Sequence, residues 1–166
     1  MTADEVRSQV ERTWRELNGL VAGMDDAALA APGPDGWAVK DHLVHVGAWE
    51  LWLLALLEHR DRMAAMGLDG LKTTEIDVVN EAVWKLHRGD SPREALDYFR
   101  DSHRQLKAVL DVQTTEDIER PYSPFFDPQA TGEEAQQPIL VAVAGNTYDH
   151  YAEHVGWIKA LPNRKR

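Results

Sequence analysis

Cysteine is absent from all 166 residues, and that absence removes a disulfide framework, a thiolate metal site and a cysteine nucleophile. It suits a reducing cytosol. No stretch approaches the ~18 apolar residues of a spanning helix, so no membrane partner is expected. The opening residues, Met1-Thr2-Ala3-Asp4-Glu5, are polar and acidic, unlike a secretory leader. Runs with the two-residue period of a strand are missing too. Positive charge is scarce: 18 Lys and Arg face 28 Asp and Glu, for a formal net charge of −10. An acidic chain repels the phosphate backbone, so no nucleic-acid partner is expected. The one basic cluster, Lys159 to Arg166, reads as a solvated helix end. The expectation is a cytoplasmic protein with a single domain over residues 1–166, long enough to bury a core without crosslinks.

What is present has helical period. Thr2 and Glu5 form a capping box for a first helix from about Ala3 to Met24, with Val6, Val10, Trp14 (or Thr13), Leu17, Leu20 and Val21 as its apolar stripe. After the breaker cluster Pro32-Gly33-Pro34-Asp35-Gly36, a second helix opens near Trp37 to Val39 and continues to Met66, where Gly67 stops it. Its middle, Trp49 to Leu57, is apolar nearly all round except for Glu50, which marks a helix buried on several sides. A third element runs from Glu75 to His87 and restarts at Ser91-Pro92-Arg93-Glu94, with Ser as N-cap and Pro in the first turn. Leu96, Phe99, His103, Leu106 and Leu110 line one of its faces. No period is visible from Gln113 to Gln137; its aromatics Tyr122, Phe125 and Phe126 either cap the bundle or form a lid over a substrate. The last helix runs from Pro138 to Leu161. Four long helices predict an all-α four-helix bundle.

Two of these helices carry histidines at helix-face spacing. His150 and His154 stand one turn apart, and His45 lies on the second helix with Asp41, Ala48, Trp49 and Trp52 on its side. His42 is offset by about 60° and borders that face. If both faces point inward, His45, His150 and His154 converge as a three-imidazole metal site with coordination positions left open, the arrangement of a catalytic centre. The alternatives are a surface histidine pair and a hydrogen-bonded core histidine. Asp41, Asn146 and Glu153 are candidates to orient the rings. Asn80, His103 and Glu153 are the catalytic candidates. Asn80 shares a stripe with Trp84 and His87, and if buried it must hydrogen-bond something, a substrate group or the protein itself. His103 reads as a fourth ligand, a proton carrier or a core-edge residue; Glu153 points away from the ligand face. Trp49, Trp52, Asn80, Trp84 and Asn146 are candidate substrate contacts, with core packing as the alternative for the tryptophans. His59 and His87 read as surface residues.

Gly36-Trp37-Ala38-Val39-Lys40-Asp41-His42-Leu43-Val44-His45-Val46-Gly47-Ala48-Trp49-Glu50 resembles the second-helix signature of the DinB-like superfamily, and Asn146 to His154 resembles its last-helix signature. Trp49-Glu50, Val79-Asn80-Glu81 and Asn146-Thr147 look most like the ClbS/DfsB branch. The resemblance implies a four-helix bundle with a long crossover connection, often a homodimer. It also implies a divalent metal, commonly zinc or nickel, on His45, His150 and His154. Related proteins include transferases and isomerases that use mycothiol, bacillithiol or glutathione, and a self-resistance protein that hydrolyses a cyclopropane electrophile. The expected function is metal-dependent attack on a small electrophilic substrate, by water as a hydrolase or by a thiol as a transferase or isomerase. With no cysteine in the chain, that thiol is a small-molecule cofactor. The alternative is a protein that sequesters a small molecule without turning it over.

Overall fold

The computed structural model describes residues 1–161, so the last five residues of the basic cluster lie outside the described residues. Eleven helical segments are described: α1 (Ala3–Ala22), α2 (Asp26–Ala30), α3 (Val39–Leu57), α4 (Arg62–Ala65), α5 (Ile76–His87), α6 (Pro92–Leu110), α7 (Thr115–Glu119), α8 (Tyr122–Phe125), α9 (Glu133–Gln136), α10 (Ile139–Asn146) and α11 (Tyr148–Ala160). Among the described residues there is no strand, only isolated bridges between Pro32 and Ala38 and between Pro121 and Pro138. The all-α expectation therefore holds.

The first helix begins where its capping box places it: Thr2 Oγ1 accepts from Glu5 N–H, and Glu5 Oε2 accepts from Thr2 N–H at 2.7 Å. Its buried residues, Val6, Val10, Thr13, Leu17 and Val21, follow the apolar stripe. Trp14 is half-buried and stacks on Phe99 and His103. The third element breaks as expected, with Ser91 and Glu94 forming a second capping box ahead of α6.

Two expected helices are shorter than their patterns. The second ends at Leu57 and not at Met66. His59 takes a left-handed φ of 55°, the His59 N–H donates to Leu56 O and the Arg60 N–H to Ala55 O. These are the two bonds of a Schellman motif, which satisfies the helix-end carbonyls. Asp61 then caps α4 through Ala64 N–H. The apolar run hides this exit because the polar stretch from Glu58 to Arg62 is compatible with either continuation or termination. The last helix is interrupted at Thr147, whose φ and ψ are −129° and −106°. The fully buried Thr147 hydroxyl donates to Val143 O at 2.6 Å, and Asn146 Nδ2 donates to Ala142 O at 2.8 Å. Such i−4 back-bonds compete for carbonyls and bend helices. The aperiodic stretch from 113 to 137 contains three short helices, α7 to α9, each too brief to show a period.

Central in the bundle, α3 packs on α5, α6, α10 and α11, while α1 lies against α11. That position explains why α3 is buried nearly all round, His42, His45 and Glu50 included. α3 and α6 approach tightly at Gly47, where an added Cβ would stand 2.9 Å from Ser102 Oγ and from the Tyr98 ring. Overpacking at a helix contact costs about 1–3 kcal/mol. Gly47→Ala should therefore lower the urea midpoint, whereas a neutral result would mean that α6 gives way easily.

Candidate metal centre and its cavity

Trp37 is set ahead of α3 by a tight loop in which Gly33 N–H donates to Trp37 O and Trp37 N–H donates to Asp35. Its ring meets His42 and His45 edge-on, each at 5.4 Å between centroids. From α3, His45 Nε2 reaches to 3.1 Å from His150 Nε2 on α11. His154 Nε2 also lies 3.1 Å from His150 Nε2. The ligand atoms of His45, His150 and His154 all fall within 4.8 Å of one another. The two helix faces thus meet as the spacing predicts.

The group fits a cation. Tetrahedral coordination with metal–nitrogen bonds of about 2.0–2.1 Å separates ligand nitrogens by about 3.3 Å, close to the 3.1 Å seen here. The electrostatics agree. Burial pushes the His45 pKa down from 6.5 to about 3, with the neighbouring His150 and His42 adding to it. Burial pushes His150 down to about 4, and burial with the adjacent imidazoles holds His154 well below its ordinary value. All three rings are neutral at neutral pH, the state in which imidazole binds metal.

The sign of the resulting pH dependence follows. Unfolded histidines take up protons below about 6.5, but His45 and His150 do so in the folded state only near 3 and 4. Between those limits the unfolded chain holds more protons, so stability falls as pH drops from about 6.5, by about 1.4 kcal/mol per pH unit for each such histidine. Urea unfolding of metal-free protein at pH 7, 6 and 5 should show this decline; a flat profile would contradict the burial.

His45 and His150 border a cavity of about 1290 Å³, and His154 lies buried behind them. His45, His150, Trp49, Trp52, Asn80, Asn146 and Glu153 all line it. Trp49 Nε1 donates to Asn80 Oδ1 at 2.9 Å, which fixes the amide. Arg62 on α4 ties down the far wall: Nη1 donates to Tyr122 OH and Nη2 to Asp127, and the guanidinium lies 5.3 Å over Trp52. Of the three loop aromatics, Tyr122 lines the cavity, while Phe126 stacks on His59 and Phe125 is exposed.

Other expected site residues lie elsewhere. Trp84 is not among the cavity-lining residues and sits under Arg88, at 5.8 Å from its guanidinium. His103 does not join the histidine cluster; its Nδ1–H donates to Glu50 at 3.0 Å and its ring stacks on Trp14. Asp41 caps α3 through Ala38 N–H and pairs with Lys40, and Asn146 bonds within its own helix, so neither orients a ligand ring. Glu153 is exposed at the cavity rim.

A second polar group emerges in the core. Glu50, fully buried, accepts from Ser102 Oγ at 2.5 Å, from Tyr151 OH at 2.6 Å and from His103 Nδ1 at 3.0 Å. Burial and the adjacent Glu50 push the Tyr151 pKa well above 10, so the phenol stays protonated. Tyr151 follows His150 and precedes His154, so this bond sets the rotation of α11 that turns both histidines towards α3. The signals were present in the lone Glu of an apolar run and in the histidine of an apolar stripe, but nothing in the sequence pairs them.

The sequence profile described as the DinB superfamily matches residues 9–158. The chain belongs to the DinB superfamily. A comparison with curated protein sequences returns no match. Solved structures with a similar fold include DfsB, a sibling lethal factor precursor, at TM-score 0.71 and 17% identity over 96% of this chain and 94% of that one. A Streptococcus pneumoniae protein reaches TM-score 0.78 at 14% identity, covering 96% and 89%. The colibactin self-resistance protein ClbS, in complex with double-stranded DNA, reaches 0.73 at 14%, covering 99% and 98%. The neighbours thus include both proteins that name the expected branch.

The ClbS complex corrects one expectation. Net charge was the ground for excluding a nucleic-acid partner, yet a protein of this superfamily's fold is seen on DNA. Net charge sums over a whole surface, whereas binding depends on the local field and contacts of one patch. The exclusion is withdrawn. For membranes, no helix among the described residues is long and apolar enough to span one.

Proposed function

We propose that this DinB-superfamily protein is a metal-dependent enzyme acting on a small electrophilic molecule, in detoxification or self-resistance. The convergence of three neutral imidazoles, two of them at the wall of a large cavity, carries this reading. A divalent cation such as zinc or nickel, held by His45, His150 and His154, would supply a Lewis acid that brings water or a thiol towards its deprotonated form at neutral pH.

The chain's own residues supply the rest. Trp49 and Trp52 offer flat apolar walls to the carbon frame of a substrate. Asn80, its Oδ1 occupied by Trp49, presents its amide N–H groups as donors. Glu153, exposed at the rim, would accept the proton released there. Binding pockets commonly enclose about 300–1,000 Å³, so the 1290 Å³ here has room for an electrophile together with a small-molecule thiol.

Protein purified without a nickel column should carry about one divalent metal per chain. Less than roughly a tenth would count heavily against the proposal. The loaded protein, given an epoxide or another strained-ring electrophile with and without a thiol, should yield a product heavier by one water or by one thiol. Mass spectrometry separates these cases. Saturable quenching of tryptophan fluorescence with no product would instead mark a sequestering protein.

A further inference from the structure

We infer that His42 is a positioning residue for the metal centre: it accepts a hydrogen bond from His154 Nδ1–H and so commits the Nε2 lone pair of His154 to the cation. The inference rests on the metal-centre reading above.

The geometry is specific to one ring. His154 Nε2 faces His150 Nε2 at 3.1 Å, and its other nitrogen, Nδ1, lies 3.0 Å from Nδ1 of the buried His42. Two imidazole nitrogens at that distance form a hydrogen bond only if one carries the proton and the other the lone pair. A ring bound to metal through Nε2 carries its proton on Nδ1. His154 is therefore the donor, His42 Nδ1 the acceptor, and the His42 proton sits on Nε2.

His42 is itself braced. It lies one turn before His45 on α3, with its ring edge-on to Trp37 at 5.4 Å and tilted against Trp157 at 6.3 Å. Among the described residues, Nδ1 of His45 and of His150 has no hydrogen-bond partner. Of the three candidate ligands, His154 is thus the one whose outer nitrogen is engaged by a side chain. Outer partners of this kind typically change metal affinity about 10–100-fold.

Zinc affinity by competition with a chromophoric chelator, at neutral pH, tests this on wild type, His42→Asn and His42→Leu. Asn places an acceptor oxygen near the position of Nδ1; Leu has similar size and no acceptor. His42→Leu should weaken zinc binding about 10–100-fold and His42→Asn by less than about threefold. Nitrogen-15 NMR of the zinc-loaded wild type should find the His154 proton on Nδ1 and the His42 proton on Nε2. Equal weakening by Asn and Leu, unchanged binding by Leu, or a His42 proton on Nδ1 would each overturn the inference while leaving the metal centre standing. A wild type that binds no zinc would overturn the metal-centre reading and this inference with it.

Discussion

His150→Ala is expected to abolish stoichiometric metal binding and all turnover. His150 Nε2 is the nitrogen that lies 3.1 Å from both of the other ligand nitrogens, so its loss leaves two imidazoles with no common neighbour. The affinity loss should exceed the roughly 100-fold that a change outside the ligand set produces. Thermal melts give a readout independent of any substrate. Zinc at about 100 times its dissociation constant stabilises the wild type by about 2.7 kcal/mol, or about 5–10 °C in a chain of this size. The variant should show none of that rise. Melts in chelator separate this from the ring's own contribution, because in metal-free protein His150 Nε2 also lies within hydrogen-bond distance of His45 and His154. A variant that keeps the zinc-dependent rise would mean that the cation sits elsewhere.

Glu50→Leu is expected to destabilise the bundle by about 3–5 kcal/mol, lowering the melting temperature by about 6–20 °C. Volume is nearly conserved, so cavity formation contributes little. The cost is the desolvation of buried groups that lose their acceptor, the Tyr151 hydroxyl and the His103 N–H, whereas the Ser102 hydroxyl keeps Phe99 O within reach at 2.9 Å. An unsatisfied buried donor costs about 1–3 kcal/mol. Tyr151→Phe removes one donor and leaves two, so it should cost less, about 1–2 kcal/mol. Because Tyr151 also sets the rotation of α11, both variants should weaken zinc binding without touching a ligand. Equal melting of Glu50→Leu and wild type would mean that water replaces the carboxyl and that the core is open there.

Period and punctuation made most of the fold legible. The capping boxes at Thr2 and Ser91 place α1 and α6 to the residue. The spacing of His150 and His154, with His45 on a second apolar rod, anticipated the convergence. The departures are places where a short-range hydrogen bond, which the apolar period does not register, ends a helix or engages a side chain. At His59 a left-handed turn ends α3 inside a sequence that could have continued. At Thr147 a buried hydroxyl takes the carbonyl that would have carried the helix onward. Asp41 and Asn146 hold the right spacing to brace the ligands, yet each is spent on its own helix.

The amino-acid order alone determined an all-α bundle and the three imidazoles that meet, because helical period sets which residues share a face and burial of apolar stripes then turns those faces inward. Packing alone decided what surrounds them. His42 rather than a carboxylate stands behind His154, His103 pairs with Glu50 and not with the centre, and Arg62 pins the far wall of the cavity. Each of those pairings joins residues on different elements, and the rotation and offset that bring them together follow from how whole helices fit against α3, which no local spacing encodes.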